Sequence, residues 1–257
     1  DADIEFFLDH AQARAVICLP AFKDFPTAEV MLTMKEKLGA LEHVITIGDT
    51  APEGSLSLND LKIEGTPKIE NPPVGSDPFL LLYTSGTTSN PKGVPLTYQN
   101  MMSNARVSVA EFEMTADDRN LSAAPFSHLY GLFNLHVALS AGATNVLLPA
   151  FSPPDLAKLV EQTKATTLFL GPAHATAMIN AGLMEAHDFS SVRFSVFSGA
   201  ACPAQMMEDY RAKIPGTVIS QLWGMTETAG ATYCRYNDAA DVPLRSAGRA
   251  SPGDEVR

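Results

Sequence analysis

The chain has 257 residues, 46% of them apolar and 18% charged, with a formal net charge of -11. That length and balance describe a globular protein of one large domain or two subdomains and exclude a disordered one. The acidic excess, with no Lys/Arg cluster to offset it, argues against nucleic acid and anionic lipid as partners, so an anionic substrate has to be held by local lysines, backbone amides or a metal.

Short β-rich runs alternate with helix-length amphipathic segments, and no internal repeat is present. In chain order the pattern predicts a strand at 15–19, a helix at 27–38, a strand at 43–47, a strand at 79–84, a helix at 97–112 and a helix at 129–140. A strand at 145–148, a helix at 154–164, a strand at 166–170, a helix at 173–180, a strand at 194–197, a helix at 204–213 and a strand at 218–222 follow. Ser152 before Pro153, Pro154 and Asp155 is a helix start, a capping hydroxyl followed by proline in the first turn. The alternation implies mostly parallel sheets flanked by helices, an α/β fold. The Pro/Gly-rich stretch from 49 to 77 reads as a long connection, dividing a lead-in region, 1–76, from a main region, 77–257.

No apolar run approaches the ~20 residues that span a bilayer, and the opening Asp1-Ala-Asp-Ile-Glu5 is acidic where a signal peptide is basic. The chain reads as cytoplasmic, without an integral membrane segment. Cys18, Cys202 and Cys234 lack the spacing of a metal or redox site and read as idle thiols.

One loop stands out. Leu82-Tyr-Thr-Ser-Gly-Thr-Thr-Ser-Asn-Pro-Lys-Gly-Val94 runs from apolar residues into hydroxyls, glycines and a lysine. Thr84, Ser85, Thr87 and Thr88 offer donors without bulk, Gly86 lets backbone amides approach an anion, and Lys92 adds a point charge, a set that suits a nucleoside triphosphate. If 79–84 is a strand of an open α/β sheet, the loop lies at its carboxyl end, where such sheets bind ligands. A Walker P-loop is ruled out: counted from Gly86 the sixth position is Pro91, and Gly93 stands where the magnesium-binding hydroxyl belongs. The dinucleotide fingerprint, the G-x-S-x-G elbow and H-E-x-x-H are absent as well.

Tyr83-Thr-Ser-Gly-Thr-Thr-Ser-Asn-Pro-Lys-Gly93 resembles the phosphate-binding signature of the adenylate-forming superfamily, with Ser89 in place of a usual glycine. Further segments follow in that family's order. Pro125-Phe-Ser-His-Leu-Tyr-Gly131 resembles the motif bordering the carboxylate pocket, which implies His128, Tyr130 and Gly131 as substrate contacts. Ser198-Gly-Ala-Ala-Cys202 is similar to the strand end lying along adenine, implying Gly199, Ala200 and Ala201, and Cys202 replaces a common proline. Gln221-Leu-Trp-Gly-Met-Thr-Glu-Thr228 is similar to the signature in which an aromatic packs on adenine, a threonine touches phosphate and a glutamate binds magnesium. That assigns Gln221, Trp223 and Gly224 to the nucleotide, Thr226 to phosphate and catalysis, and Glu227 to catalysis and the metal, with Lys92 as a further catalytic residue. Ser246-Ala-Gly-Arg-Ala-Ser-Pro-Gly253 resembles the glycine-bounded segment that comes next.

The physical chemistry agrees with these roles. An indole is a wide stacking face for a purine, and small residues opposite it allow close approach. Magnesium takes oxygen ligands and keeps waters, so one carboxylate plus substrate phosphates is a normal site. The resemblance implies ATP, Mg2+ and coenzyme A as cofactors, and a small-molecule carboxylate as the acid partner. It implies activation of a fatty or other apolar acid to an acyl-adenylate and then a thioester. It also implies a fragment covering the central part of a large N-terminal domain, without the ribose-binding aspartate segment, the hinge or the small C-terminal lid with its lysine, and so with little turnover of its own.

Plainer readings stand beside these. Trp223 also suits core packing, Glu227 and Thr226 suit the cap of a following helix, His128 suits a structural role before an apolar helix, and Gly248 and Gly253 suit turns. An aryl-acid ligase, a peptide-synthetase adenylation domain and a non-catalytic nucleotide-binding fragment are alternatives to the fatty-acid reading. Leu129, Tyr130, Leu132 and Phe133 around His128 suggest an apolar acid pocket.

Overall fold

The computed structural model describes residues 2–48, 51–61, 65, 69–84 and 91–257. The chain forms two compact units, Asp1–Pro72 and Pro73–Arg257.

The first unit contains α1 (Ala2–His10), β1 (Ala15–Cys18), α2 (Thr27–Lys37), β2 (His43–Thr46) and β3 (Leu56–Ser57), the strands pairing in that order as a parallel sheet. Ala28, Met31 and Met34 recur at helical spacing on α2 and are buried, as are Val44 and Thr46 on β2. α1 and β3 were not predicted. β3 interrupts the stretch read as a continuous connection and is only two residues long, too short for periodicity to show.

The second unit opens with β4 (Pro78–Thr84) and β5 (Lys92–Thr97), an antiparallel pair in which Thr84 lies opposite Lys92. Here the sequence expectation fails: the 79–84 strand belongs to its own two-stranded sheet and not to the parallel one. Lys92 starts a strand instead of closing a loop. Then come α3 (Tyr98–Glu111), β6 (Arg119–Ser122), α4 (Leu129–Ala141), β7 (Thr144–Val146), α5 (Pro153–Thr163), β8 (Thr167–Leu170), α6 (Pro172–Asn180), α7 (Leu183–Ala186), β9 (Phe194–Phe197) and α8 (Ala204–Lys213). β10 (Val218–Met225), β11 (Ala229–Tyr233), α9 (Val242–Arg245) and β12 (Arg249–Ala250) complete the unit.

Local signals explain the helix ends. Thr97 accepts from the Asn100 amide while the Asn100 side chain accepts from the Thr97 amide, a reciprocal cap that starts α3. Ser152 accepts from the Asp155 amide at 3.2 Å, with proline in the first turn of α5.

Seven strands form the main sheet in the order β12-β11-β10-β9-β8-β6-β7. The five from β10 to β7 are parallel, whereas at one edge β11 pairs antiparallel with both β10 and β12. β8 and β9 are buried at every residue, as parallel strands covered on both faces must be. Leu168, Leu170 and Phe197 point to one face and pack with Leu156, Val160, Met178, Met207 and Tyr210 of α5, α6 and α8. Phe169, Phe194 and Val196 point to the other and pack with Phe112, Phe133, Val137 and Tyr233. Each buried Phe or Leu contributes roughly 1.5–3 kcal/mol, so these two layers fix the sheet and leave its carboxyl edge as a rigid platform.

Candidate active site

At that edge lies a cavity of about 690 Å³. The end of β9 supplies Ser198, Gly199, Ala200 and Ala201. Gly199 has φ +89°, a left-handed turn that costs glycine nothing, and no neighbouring atom fills the space where a Cβ would stand. The opposite wall comes from β10: Gln221, Leu222, Trp223, Gly224 and Met225, followed by Thr226 and Glu227.

The β10–β11 pairing shifts register between Trp223 and Gly224, where β11 carries the extra residue, Ala231. A Cβ at Gly224 would sit 1.8 Å from the Ala229 carbonyl oxygen, so only glycine lets the two strands close there. Leu222 is buried, while the next residue, Trp223, is 51% exposed and on the cavity wall. Core packing is therefore not the role of this indole. Residues 226–228 form the turn between β10 and β11, closed by the Thr228 amide donating to the Met225 carbonyl at 3.1 Å. No helix follows Thr226 and Glu227, which removes the capping alternative. Glu227 is exposed and makes no hydrogen bond or ion pair among the described residues.

The third wall is the start of α4. His128 caps that helix, its Nδ1 accepting from the Tyr130 amide at 3.1 Å. That bond leaves Nε2 to carry the ring proton in the neutral form, and the exposed ring lies on the cavity wall. One side chain thus both caps α4 and lies on the cavity wall. Tyr130 contributes its ring but not its hydroxyl, which donates to the Val196 carbonyl at 2.8 Å inside the sheet. Burial pushes that phenol well above its ordinary pKa and keeps it a donor.

Gly131, expected as a substrate contact, is not on the wall. A Cβ there would fall 2.2 Å from the Pro125 carbonyl oxygen, so the glycine seats the 124–128 segment on α4 and so places His128. Gln221 lines the cavity with its Nε2 donating to the Pro243 carbonyl, which fixes the amide.

Of the anion-loop residues, Thr84 reaches the cavity and Lys92 is not among its lining residues. Ser85, Gly86, Thr87 and Thr88 lie outside the described residues. Leu129 and Phe133 are on the wall as expected, but Leu132 packs instead beside the cluster of Leu96, Met101 and Leu129. Sequence reasoning did not single out Leu222, Met225, Ala229, Gly230 or Ala247 as lining residues. Ala247 falls in a segment singled out for its glycines, and Gly248 there is more than a turn residue: at φ +83° a Cβ would stand 2.0 Å from the Tyr233 carbonyl, so the chain folds back tightly on β11.

Among the described residues, Glu227 is the one carboxylate on the wall, and no group of three or more metal-ligating side chains occurs. A lone accessible carboxylate fits a divalent ion shared with substrate oxygens and does not fit a closed protein cage. The three cysteines are unpaired, and burial pushes the Cys202 thiol up to about 11, which suits inert thiols. No helix among the described residues is long and apolar enough to cross a membrane.

A family model for AMP-binding enzymes matches residues 1–257. The chain belongs to the AMP-binding enzyme family. Within this adenylate-forming group it is similar to indoleacetate–CoA ligase of Aromatoleum aromaticum, with 36% identity over 213 residues, 81% of this chain and 41% of that ligase. Among solved AMP-binding structures it is similar to the anthranilate CoA ligase AuaEII in complex with anthranoyl-AMP, with a TM-score of 0.83 and 25% identity over 98% of this chain and 48% of that one. It is also similar to ATP-bound MatB from Rhodopseudomonas palustris, with a TM-score of 0.80 and 28% identity over 97% of this chain and 47% of that one. The chain spans less than half the length of the curated relatives it matches.

Proposed function

We propose that this chain carries the nucleotide- and acid-binding surface of a ligase that activates a carboxylic acid with ATP and transfers it to coenzyme A. The observation that carries the reading is the convergence of a half-exposed indole, a shelf of glycine and alanine, a carboxylate with no partner among the described residues and a histidine on one cavity at the carboxyl edge of a parallel sheet. Family membership over the whole chain supports it.

In this reading adenine lies between Trp223 and the Gly199–Ala201 shelf, with the Gln221 amide at its edge. The β10–β11 turn presents Thr226 to phosphate and Glu227 to the metal. Magnesium, when bound, neutralises charge on the phosphate oxygens. The acid's carboxylate attacks the α-phosphorus, the bond to pyrophosphate breaks, and the bonding pair leaves with pyrophosphate. No general base is needed because the acid is ionised at neutral pH. Positioning and preset charge therefore supply the rate, with Thr84, the 85–88 amides and Lys92 on the phosphates. His128, through Nε2–H, donates to the acid's carboxylate.

The acid sits against Leu129, the Tyr130 ring, Phe133 and Leu222. A fatty or other apolar acid fits this lining. A second reading, an aryl acid, is favoured by the Tyr130 and Phe133 rings and by the aromatic acids named for two similar ligases.

The test is ATP–pyrophosphate exchange by the intact protein with a panel of fatty and aryl acids. Exchange that depends on the added acid, and falls at least about 100-fold in Glu227→Gln, is expected. No exchange with any acid, or undiminished exchange in the variant, refutes the reading.

A further inference from the structure

The β10–β11 turn that bears Thr226 and Glu227 has open space on both sides. In front is the main cavity, and behind it a second hollow of about 150 Å³ lies among Asn100, Asn104, Thr228 and Asp254, with Glu227 and Ala229 lining both. Between two hollows, the position of the turn depends on its tethers. One is the Thr228–Met225 closure already described, and the bulge at Trp223/Gly224 loosens the strand pairing next to it.

Beside the Met225 amide donating to the Thr228 hydroxyl at 3.3 Å and the Met225–Ala229 pairing, a further tether comes from a helix. Asn104, on α3, donates from Nδ2 to the Gly230 carbonyl at 3.1 Å and accepts at Oδ1 from the Gly230 amide at 3.2 Å. A single side-chain amide thus pairs with both backbone groups of a residue 126 positions away, as a neighbouring strand would. Asparagine has poor helix propensity, so the helix gains nothing from it. Gly230 is buried, and a Cβ there would meet Asn104 Oδ1 at 3.4 Å and Leu222 Cδ1 at 3.2 Å, so the pairing is close packed.

We propose that Asn104 is a positioning residue for the ligase reaction, holding Gly230 and through it the 226–228 turn so that the Glu227 carboxylate faces the nucleotide's phosphates. The inference rests on the ligase reading for its consequence and on the two hydrogen bonds for its mechanism. Asn104 touches neither substrate nor metal. Its loss frees the turn without removing any reacting group.

Two readouts on the intact protein separate these layers. Hydrogen exchange at the Gly230 amide needs no activity, and Asn104→Ala is expected to speed it about fivefold, the equivalent of one lost hydrogen bond. The Mg2+ concentration for half-maximal pyrophosphate exchange is expected to rise about tenfold or more, as when a residue orienting a metal ligand is removed, while ATP affinity in the absence of Mg2+ stays within about twofold. Tyr210→Phe, which removes a buried hydroxyl bonded to Ser195 on another part of the sheet, controls for general destabilisation and leaves the Mg2+ requirement unchanged. Asn104→Asp, keeping the acceptor and losing the donor, replaces the alanine variant should that fail to fold. Unchanged exchange at Gly230 overturns the tether. Faster exchange with an unaltered Mg2+ requirement, or an equal rise in Tyr210→Phe, overturns the positioning role. A wild-type protein that shows no acid-dependent exchange removes the ligase reading and this role with it, while the amide measurement still reports the tether separately.

Discussion

At the N-terminal ends of β6, β8 and β9 the buried charge is fully engaged. Asp118, only 3% exposed, accepts from Arg193 Nε at 2.8 Å, from the Thr166 hydroxyl at 2.6 Å and from the Thr115 amide at 2.9 Å, and Arg193 goes on to the Glu113 carbonyl. At the opposite edge of the sheet, at the carboxyl end of the neighbouring β10, an indole and Met225 stand half exposed, and Glu227 has no described partner. One edge spends its polar chemistry on itself. The other keeps it available, and the contrast separates the residues that hold the sheet from those free to meet a ligand.

Mutations can break this division, and the largest effect is expected at the saturated edge. Asp118→Ala leaves the partly buried Arg193 unpaired and should cost about 3 kcal/mol or more in urea unfolding, with nucleotide affinity of the folded fraction unchanged. Burial alone would raise the Asp118 pKa, but the Arg193 and Thr166 hydrogen bonds outweigh it and hold the carboxyl below its ordinary range. A group so depressed stabilises the fold fully above its unfolded value of about 4 and loses that contribution as pH falls toward the folded value. Unfolding curves at pH 7 and pH 3 should therefore converge more for Asp118→Ala than for wild type. Equal pH dependence in the two proteins would show that the clamp is not what acid breaks.

At the open edge the pattern should reverse. Trp223→Ala is expected to weaken nucleotide binding by about 1–3 kcal/mol and to leave unfolding within about 0.5 kcal/mol, read by calorimetric titration and denaturation of one preparation. A large stability loss with unchanged binding would return the indole to the core. The smallest effect sharpens the comparison from within the packed layer. The Ser108 hydroxyl on α3 is fully buried and has no partner among the described residues, so Ser108→Ala should be neutral or stabilise by up to about 1 kcal/mol, a gain no saturated group of the Asp118 clamp would give.

The same contrast explains what could be read from sequence. Each of the six predicted helices appears, with its start and end within a residue or two, because amphipathic spacing, Ser152 with its prolines and the Thr97 cap are local signals. β6 was missed because Arg119-Asn-Leu-Ser122 is polar, although Asn120 is buried: its amide bonds to Asn134 and Asn145 and its carbonyl takes the Thr167 hydroxyl. Only the folded network reveals such a strand as core. β5 carries a glycine and a proline that strand propensity counts against, and β11, with Gly230 among small residues and a register shift in its pairing, is bonded to α3 through Asn104. At the site, motif order brought Thr84, His128, Gly199, Trp223 and Glu227 to attention, and the structure gathers all five on one cavity. What order could not convey was direction: that the Tyr130 hydroxyl turns into the sheet, that Gly131 lies behind the wall, and that a helical asparagine reaches the turn.

The chain has a single tryptophan. Light absorbed at wavelengths too long for tyrosine therefore excites one place in the molecule, the mouth of the cavity. The colour and brightness of that emission form a built-in optical gauge, already calibrated by nature to one address, with which occupancy can be followed in real time and without attaching a dye.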